Sequence, residues 1–140
     1  MKKVILTLGI VFACYQAESQ IVIKESINDS IVWHSKMLGI PKLVHFYATD
    51  LSEYVLYYQN ANYTHIKDIQ YITIGDIETT REFFNILLNV ANGTTEDITI
   101  GLDGKTWIIS KSMGSIMIWS SDSSFYLMRN NVESILKLLK

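Results

Sequence analysis

The 140-residue sequence has very little of three things: cysteine, proline and long apolar runs. Its single cysteine, Cys14, excludes a disulfide within the chain and a metal site built from several thiolates. Its single proline, Pro41, leaves nearly all of the chain free to form regular helices and strands. The one almost unbroken apolar run, residues 4–12, is shorter than the about 20 residues of a membrane-spanning helix. The sequence therefore predicts no transmembrane span.

The amino terminus has the pattern of a secretory signal peptide. Lys2 and Lys3 precede the apolar run, and small or polar residues follow it. A short positive region, an apolar region and small residues at a cleavage point are the three parts of such a signal. We therefore predict that residues 1–19 are a signal peptide of bacterial type, that residues 20–140 form a single domain, and that the protein is exported to the periplasm or beyond.

Two cleavage schemes remain open. Ala17 and Ser19 are small residues at the positions that a signal peptidase reads, so the mature chain would begin at Gln20 and be free of lipid. Residues 11–14 also resemble a lipobox, in which Cys14 becomes the lipidated first residue. Phe12 is bulkier than the residue usual at its place in that motif. The second scheme predicts a lipoprotein tethered to the cell envelope.

Charge is nearly balanced in the predicted mature chain. Residues 20–140 carry 10 basic and 13 acidic residues, scattered singly. A protein that binds nucleic acid usually presents a basic stripe, so we expect no nucleic-acid partner. Hydrophobic residues make up 49% of the whole sequence, which is sufficient for one ordinary core.

Strand signals dominate the first half and return near the end. Aromatic and β-branched residues predict strands at 43–47, 54–58 and 69–74, whereas residues 28–38 fit either a short helix capped by Asn28 or a strand. From residue 98 to 128, alternating apolar residues and three turn signals predict a four-strand meander. The strongest of these signals is Asp103-Gly104, a typical two-residue hairpin turn.

Two helices complete the prediction. Asp76 is a candidate N-cap and Gly93 a candidate terminator for a helix at about 77–91, whose apolar residues recur at helical spacing. Asn130 and Glu133 form a variant capping box for a second helix at about 131–139. We therefore predict an α+β fold: a mainly antiparallel sheet of about six strands with both helices packed on one face.

No motif for catalysis, metal binding or cofactor binding is present. The three histidines, His34, His45 and His65, are not spaced as paired ligands, and no Gly-x-Ser-x-Gly sequence occurs. The Gly-Lys-Thr at 104–106 lies in the predicted hairpin and lacks the first glycine of a phosphate-binding loop. We therefore assign no catalytic residue, metal ligand or cofactor.

Aromatic residues give the most usable functional signal. Because alternate strand residues face opposite sides of a sheet, part of the aromatic set must lie away from the helices. Either residues 20–50 form a second layer over that face, or the face is exposed and binds a partner. The second interpretation predicts a binding face composed of Tyr57, Tyr58, Tyr63, Trp107 and Trp119.

These observations favour a small exported, non-catalytic interaction module of a bacterial envelope, which binds an envelope protein or a small ligand through its aromatic face. One alternative is a hydrolase with a site built from His45 or His65 and a carboxylate such as Asp68. Another is an immunity or inhibitor protein that caps a toxin or enzyme. Fold class does not choose among the three.

Overall fold

The computed structural model describes residues 27–36, 40–63 and 65–140. Residues 1–19, including Cys14, lie outside the described residues, so the signal-peptide and lipidation hypotheses stay predictions. The elements, in chain order, are β1 (Asn28–His34), β2 (Lys42–Ala48), β3 (Leu51–Gln59), β4 (Ile69–Gly75), α1 (Ile77–Ala91), β5 (Ile98–Leu102), β6 (Lys105–Ser112), β7 (Ser115–Trp119), β8 (Ser124–Met128) and α2 (Arg129–Leu138).

The strands form two antiparallel sheets of four, in the orders β1-β2-β3-β4 and β5-β6-β7-β8. The α+β class and the carboxyl-terminal meander are thereby confirmed. The prediction of one sheet of about six strands is wrong, because α1 intervenes after β4 and β5 begins a separate ladder. The ambiguous segment at 28–38 contributes β1, so the strand preference of Ile31, Val32 and Trp33 prevails over the capping signal of Asn28.

Helix α1 has the predicted bounds and the predicted ends. The Asp76 carboxylate accepts a hydrogen bond from the Thr79 backbone N–H at 2.9 Å, as an N-cap does. At the other end Asn92 is the C-cap, and Gly93 follows with a φ of +73°, a conformation that glycine adopts without strain. The apolar stripe of α1 contacts β3 and β4 of the first sheet and β6 and β7 of the second.

Helix α2 begins at Arg129, two residues before its predicted start. The predicted capping role of Asn130 is wrong: Met128 occupies the cap position, and Glu133 pairs with the Arg129 side chain at 3.0 Å. The helix contacts α1, β1 and β8. The two helices therefore do not share one face of one sheet, and each of them contacts strands of both sheets.

A single cluster of buried side chains includes residues from both sheets and both helices. At its centre the Tyr58 ring of β3 stacks on Phe125 of β8, with centroids 4.2 Å apart, and meets Trp107 of β6 edge to face. Phe84 and Leu87 of α1 are fully buried in the same cluster. Within the described ranges, no helix is long and apolar enough to cross a membrane.

Candidate functional site

The structure separates the five aromatic residues of the predicted binding face. Tyr58 and Trp107 are 1% and 2% exposed and belong to the core. Burial raises the pKa of Tyr58, and its hydroxyl is hydrogen-bonded to Ser123 Oγ at 2.9 Å. These two residues belong to the interior and present almost no surface to a partner. Tyr57, Tyr63 and Trp119 lie in three different surface regions.

Tyr57 lies on the outer face of the first sheet. It pairs across strands with Tyr71 of β4, and the ring centroids are 5.9 Å apart. The Lys42 ammonium lies 5.1 Å from the centre of the Tyr57 ring, within cation–π range. Tyr71 is 60% exposed and Ile31 of β1 is 59% exposed on the same face. The outer face of this sheet is therefore apolar and aromatic in part.

Tyr63 borders a pocket of about 360 Å³ between the β3–β4 loop and β8. It is 51% exposed, and Tyr126 of β8, on the other side of the pocket, is 47% exposed. The pocket is lined by Pro41, Tyr58, Gln59, Asn60, Ala61, Tyr63, Phe125 and Tyr126.

Trp119 lines a larger groove of about 540 Å³ on the second sheet. It is partly exposed at the end of β7 and pairs with Ile108 of β6, which is partly exposed as well. Their neighbours Ile109 and Ile118 point into the core, so Ile108 and Trp119 lie on the outer face. The groove, called the Trp119 groove below, is lined by Gly104, Lys105, Thr106, Ile108, Trp119, Ser120 and Ser121.

Two turns bring these residues together. In a meander, the first and third turns lie at the same end of the sheet, and here they are the β5–β6 turn and the β7–β8 turn. Asp103 and Gly104 form the first of them with φ values of +52° and +72°, which favour glycine and tolerate aspartate. The serine-rich segment 120–123 forms the other. Sequence reasoning found Trp119 but missed Lys105, Thr106, Ser120 and Ser121 as its neighbours, although the order of the turns predicts their proximity.

An ion pair borders the groove. The Lys105 ammonium lies 3.2 Å from Asp122 Oδ2, and the Ser120 hydroxyl donates to Asp122 Oδ1 at 2.9 Å. Hydrogen bonds from Ser120 and Lys105 hold the pKa of the Asp122 carboxyl below its usual value. The carboxylate is therefore ionised at neutral pH, and the pair adds one donor group and one acceptor group without net charge.

Asn60, in the loop between β3 and β4, hydrogen-bonds to the backbone of the β7–β8 turn. This fully buried side chain donates to Asp68 Oδ2 at 3.0 Å and to the Asp122 carbonyl at 3.3 Å. Its own amide oxygen accepts from the backbone N–H of Asn62 and of Ser124, each at 3.1 Å. Because the β3–β4 loop belongs to the first sheet, this junction fixes one rim of the Trp119 groove to the other half of the molecule.

The structure does not pair the residues of the hydrolase hypothesis: in the described part of the chain neither His45 nor His65 hydrogen-bonds to Asp68. His45 Nε2 lies 2.9 Å from Ser52 Oγ, and its ring stacks on Tyr54 at 4.3 Å. Asp68 instead accepts hydrogen bonds from the side chains of Asn60 and Gln70. In the described part of the chain, no three histidine, cysteine, aspartate or glutamate side chains are grouped as metal ligands. The Ser52–His45 pair was not predicted from the sequence.

Comparison of the chain with protein-family models, with curated proteins and with solved structures finds no match.

Proposed function

We propose that this protein is a small exported, non-catalytic binding protein that holds a small ligand in the Trp119 groove. The proposal is based on the partly exposed Trp119, which lies beside Ile108 and next to two polar turns. Tryptophan combines a large apolar surface with one N–H donor, a combination that is frequent at binding surfaces. The groove volume lies within the range of about 300–1,000 Å³ that is usual for ligand sites.

The rigid surroundings of the groove support the proposal. Ile108 and Trp119 are on the two central strands of the second sheet, whose opposite face is packed in the core. The Asn60 junction and the Lys105–Asp122 pair hold the β7–β8 turn. A ligand that enters this groove meets a sheet face and a turn that are already in position, which lowers the entropy cost of binding. Export follows from the predicted signal at residues 1–19.

Fluorine NMR tests the proposal directly. The chain has three tryptophans, and labelling with 5-fluorotryptophan gives each a separate resonance. We expect members of a soluble fragment library to shift the Trp119 resonance in a saturable way. Trp107 is 2% exposed and serves as an internal control that reports only global change. If no fragment shifts Trp119 selectively, the groove is not a ligand site.

A second function is favoured by one observation, the hydrogen bond between Ser52 and His45. A histidine within about 2.6–3.2 Å of a serine hydroxyl is placed to take its proton, so that the serine oxygen can attack an ester carbonyl. The ester C–O bond then breaks, the alcohol leaves with that proton, and water hydrolyses the acyl-serine to release the acid and restore the serine. A fluorophosphonate probe tests this hydrolase proposal. Labelling at Ser52 that is lost in Ser52→Ala and in His45→Gln, but kept in Ser121→Ala, would support it. An unlabelled wild-type protein would exclude an activated serine.

A further inference from the structure

We infer that the ligand of the Trp119 groove is a neutral saccharide. This inference rests on the proposed function and narrows it to one chemical class. It follows from three properties of the groove: an apolar platform on one side, hydroxyl and charged partners without net charge around it, and a position on a sheet face away from strand edges.

The platform calls for a ligand with one apolar face. Ile108 and Trp119 are cross-strand neighbours and present the apolar part of the groove. Polar residues of the two turns surround them. A pyranose ring matches this division, because its axial C–H bonds form an apolar face while its hydroxyls project from the edge. A wholly apolar ligand would leave the polar rim without partners after desolvation, which is costly.

Charge disfavours the main competitor, an anionic aromatic ligand such as a nucleotide. Lys105 is the only cation of the lining, and its charge is already balanced by Asp122 at 3.2 Å. A polyphosphate would meet one neutralised ammonium and one carboxylate. A sugar hydroxyl, in contrast, can donate a hydrogen bond to the ionised carboxylate and accept one from the ammonium, so both members of the ion pair can bind it.

Hydroxyl side chains add the partners that a sugar needs. Thr106 and Ser121 are exposed in the groove, and neither side chain hydrogen-bonds within the described part of the chain. Each hydroxyl donates and accepts, which suits a ligand whose edge groups do both.

The location disfavours a peptide bound as an added strand. Such a peptide needs a free strand edge, whereas β6 and β7 are each paired on both sides. The groove lies across their outer face, where only side chains and turn backbone are presented.

The experiment titrates 5-fluorotryptophan-labelled protein with three neutral probes: maltotriose, cellotriose and triacetylchitotriose. ATP and a proline-rich decapeptide are the comparison probes. We expect at least one trisaccharide to shift the Trp119 resonance saturably while Trp107 stays unchanged. Loss of one aromatic stacking partner corresponds to about tenfold in affinity, so the dissociation constant, measured by calorimetry, should rise about tenfold in Trp119→Ala.

Two further variants separate binding from folding. Ser121→Arg fills the groove from an exposed turn position without touching the core, and should weaken binding as strongly as Trp119→Ala. Tyr71→Ala removes an exposed aromatic from the outer face of the other sheet and should leave the affinity unchanged. Equal binding by wild type and Ser121→Arg would overturn the inference.

The remaining outcomes distinguish the two levels of the proposal. If ATP, the peptide or a library fragment shifts Trp119 and no trisaccharide does, the saccharide inference is wrong and the binding function stands. If no compound of any class shifts Trp119, both the inference and the proposed function fail.

Discussion

Replacement of Asn60 by alanine tests how the two halves of the molecule are joined. The side chain is 1% exposed and makes four hydrogen bonds, two as donor and two as acceptor. Its loss leaves the backbone N–H of the buried Ser124 without an acceptor, which costs about 1–3 kcal/mol. The Asn62 N–H and the Asp68 carboxylate are less buried and can bond to water instead. With the lost packing, we expect Asn60→Ala to lower the free energy of unfolding by about 2–4 kcal/mol.

Urea denaturation followed by circular dichroism measures this change. The matched control is Asn85→Ala, an asparagine on the exposed face of α1, which should change stability by less than about 0.5 kcal/mol. Asn60→Asp keeps the two acceptor bonds but places a carboxylate against Asp68, whose Oδ2 lies 3.0 Å from the Asn60 amide nitrogen. Its loss of stability relative to wild type should therefore be smaller at pH 3 than at pH 7. An Asn60→Ala effect no larger than that of the control would refute the reasoning.

Three other outcomes are expected. Tyr58→Phe removes only the hydroxyl and its hydrogen bond to the β7–β8 turn, so it should cost about 1 kcal/mol in urea denaturation, whereas Tyr58→Ala should cost about 3–5 kcal/mol. The hydrogen bond from the Thr79 backbone N–H lowers the pKa of Asp76 below its usual value of 3.8. The ionised carboxylate therefore stabilises the folded state at pH values above 3.8, and this stabilisation is lost as the pH falls through the lower pKa of the folded state. The thermal midpoint of Asp76→Ala should thus lie below wild type at pH 7 and approach it in acid. Intact-mass measurement on separated cell fractions should find a soluble chain that begins at Gln20. A membrane-bound chain that begins at lipidated Cys14 would support the other scheme, and an uncleaved chain in the cytoplasmic fraction would refute export.

Local signals were sufficient for most elements. The Asp76 cap, the terminating Gly93 and the Asp103-Gly104 turn depend on neighbours within a few residues, and the structure has all three as predicted. The capping role of Asn130 failed because Met128 continues from β8 directly into helical backbone, two residues before the predicted start. A cap signal competes with the geometry of the preceding strand, and sequence alone does not show which of them prevails.

The division into two sheets was harder to predict, because strand count and hydrophobic pattern do not say which edges pair. Alternation puts Trp107 with Ile109 on one face of β6 and Ile116 with Ile118 on one face of β7, but it does not say which face is inner. All four are buried in the core, although the predicted binding face included Trp107. It did not show that Tyr58, from the first sheet, packs against this set. The aromatic residues grouped as one face were for that reason partly core residues. They were grouped on the expectation of a single sheet, whereas the structure divides their strands between two sheets.

The two halves have the same order of elements, four antiparallel strands and then a helix, yet they are not independent in their packing. Helix α2 follows the second sheet but contacts β1 of the first, and α1 contacts strands of both. Neither sheet therefore has its inner face covered by its own half alone. Tyr58 and Asn60 add a stacked ring and four hydrogen bonds at the junction, close to the turn that forms one rim of the Trp119 groove. Residues of the first half therefore hold one rim of a groove that belongs to the second half. Loss of the junction should weaken both the stability of the fold and the ligand binding proposed for the groove. Both effects can be measured in the single variant Asn60→Ala.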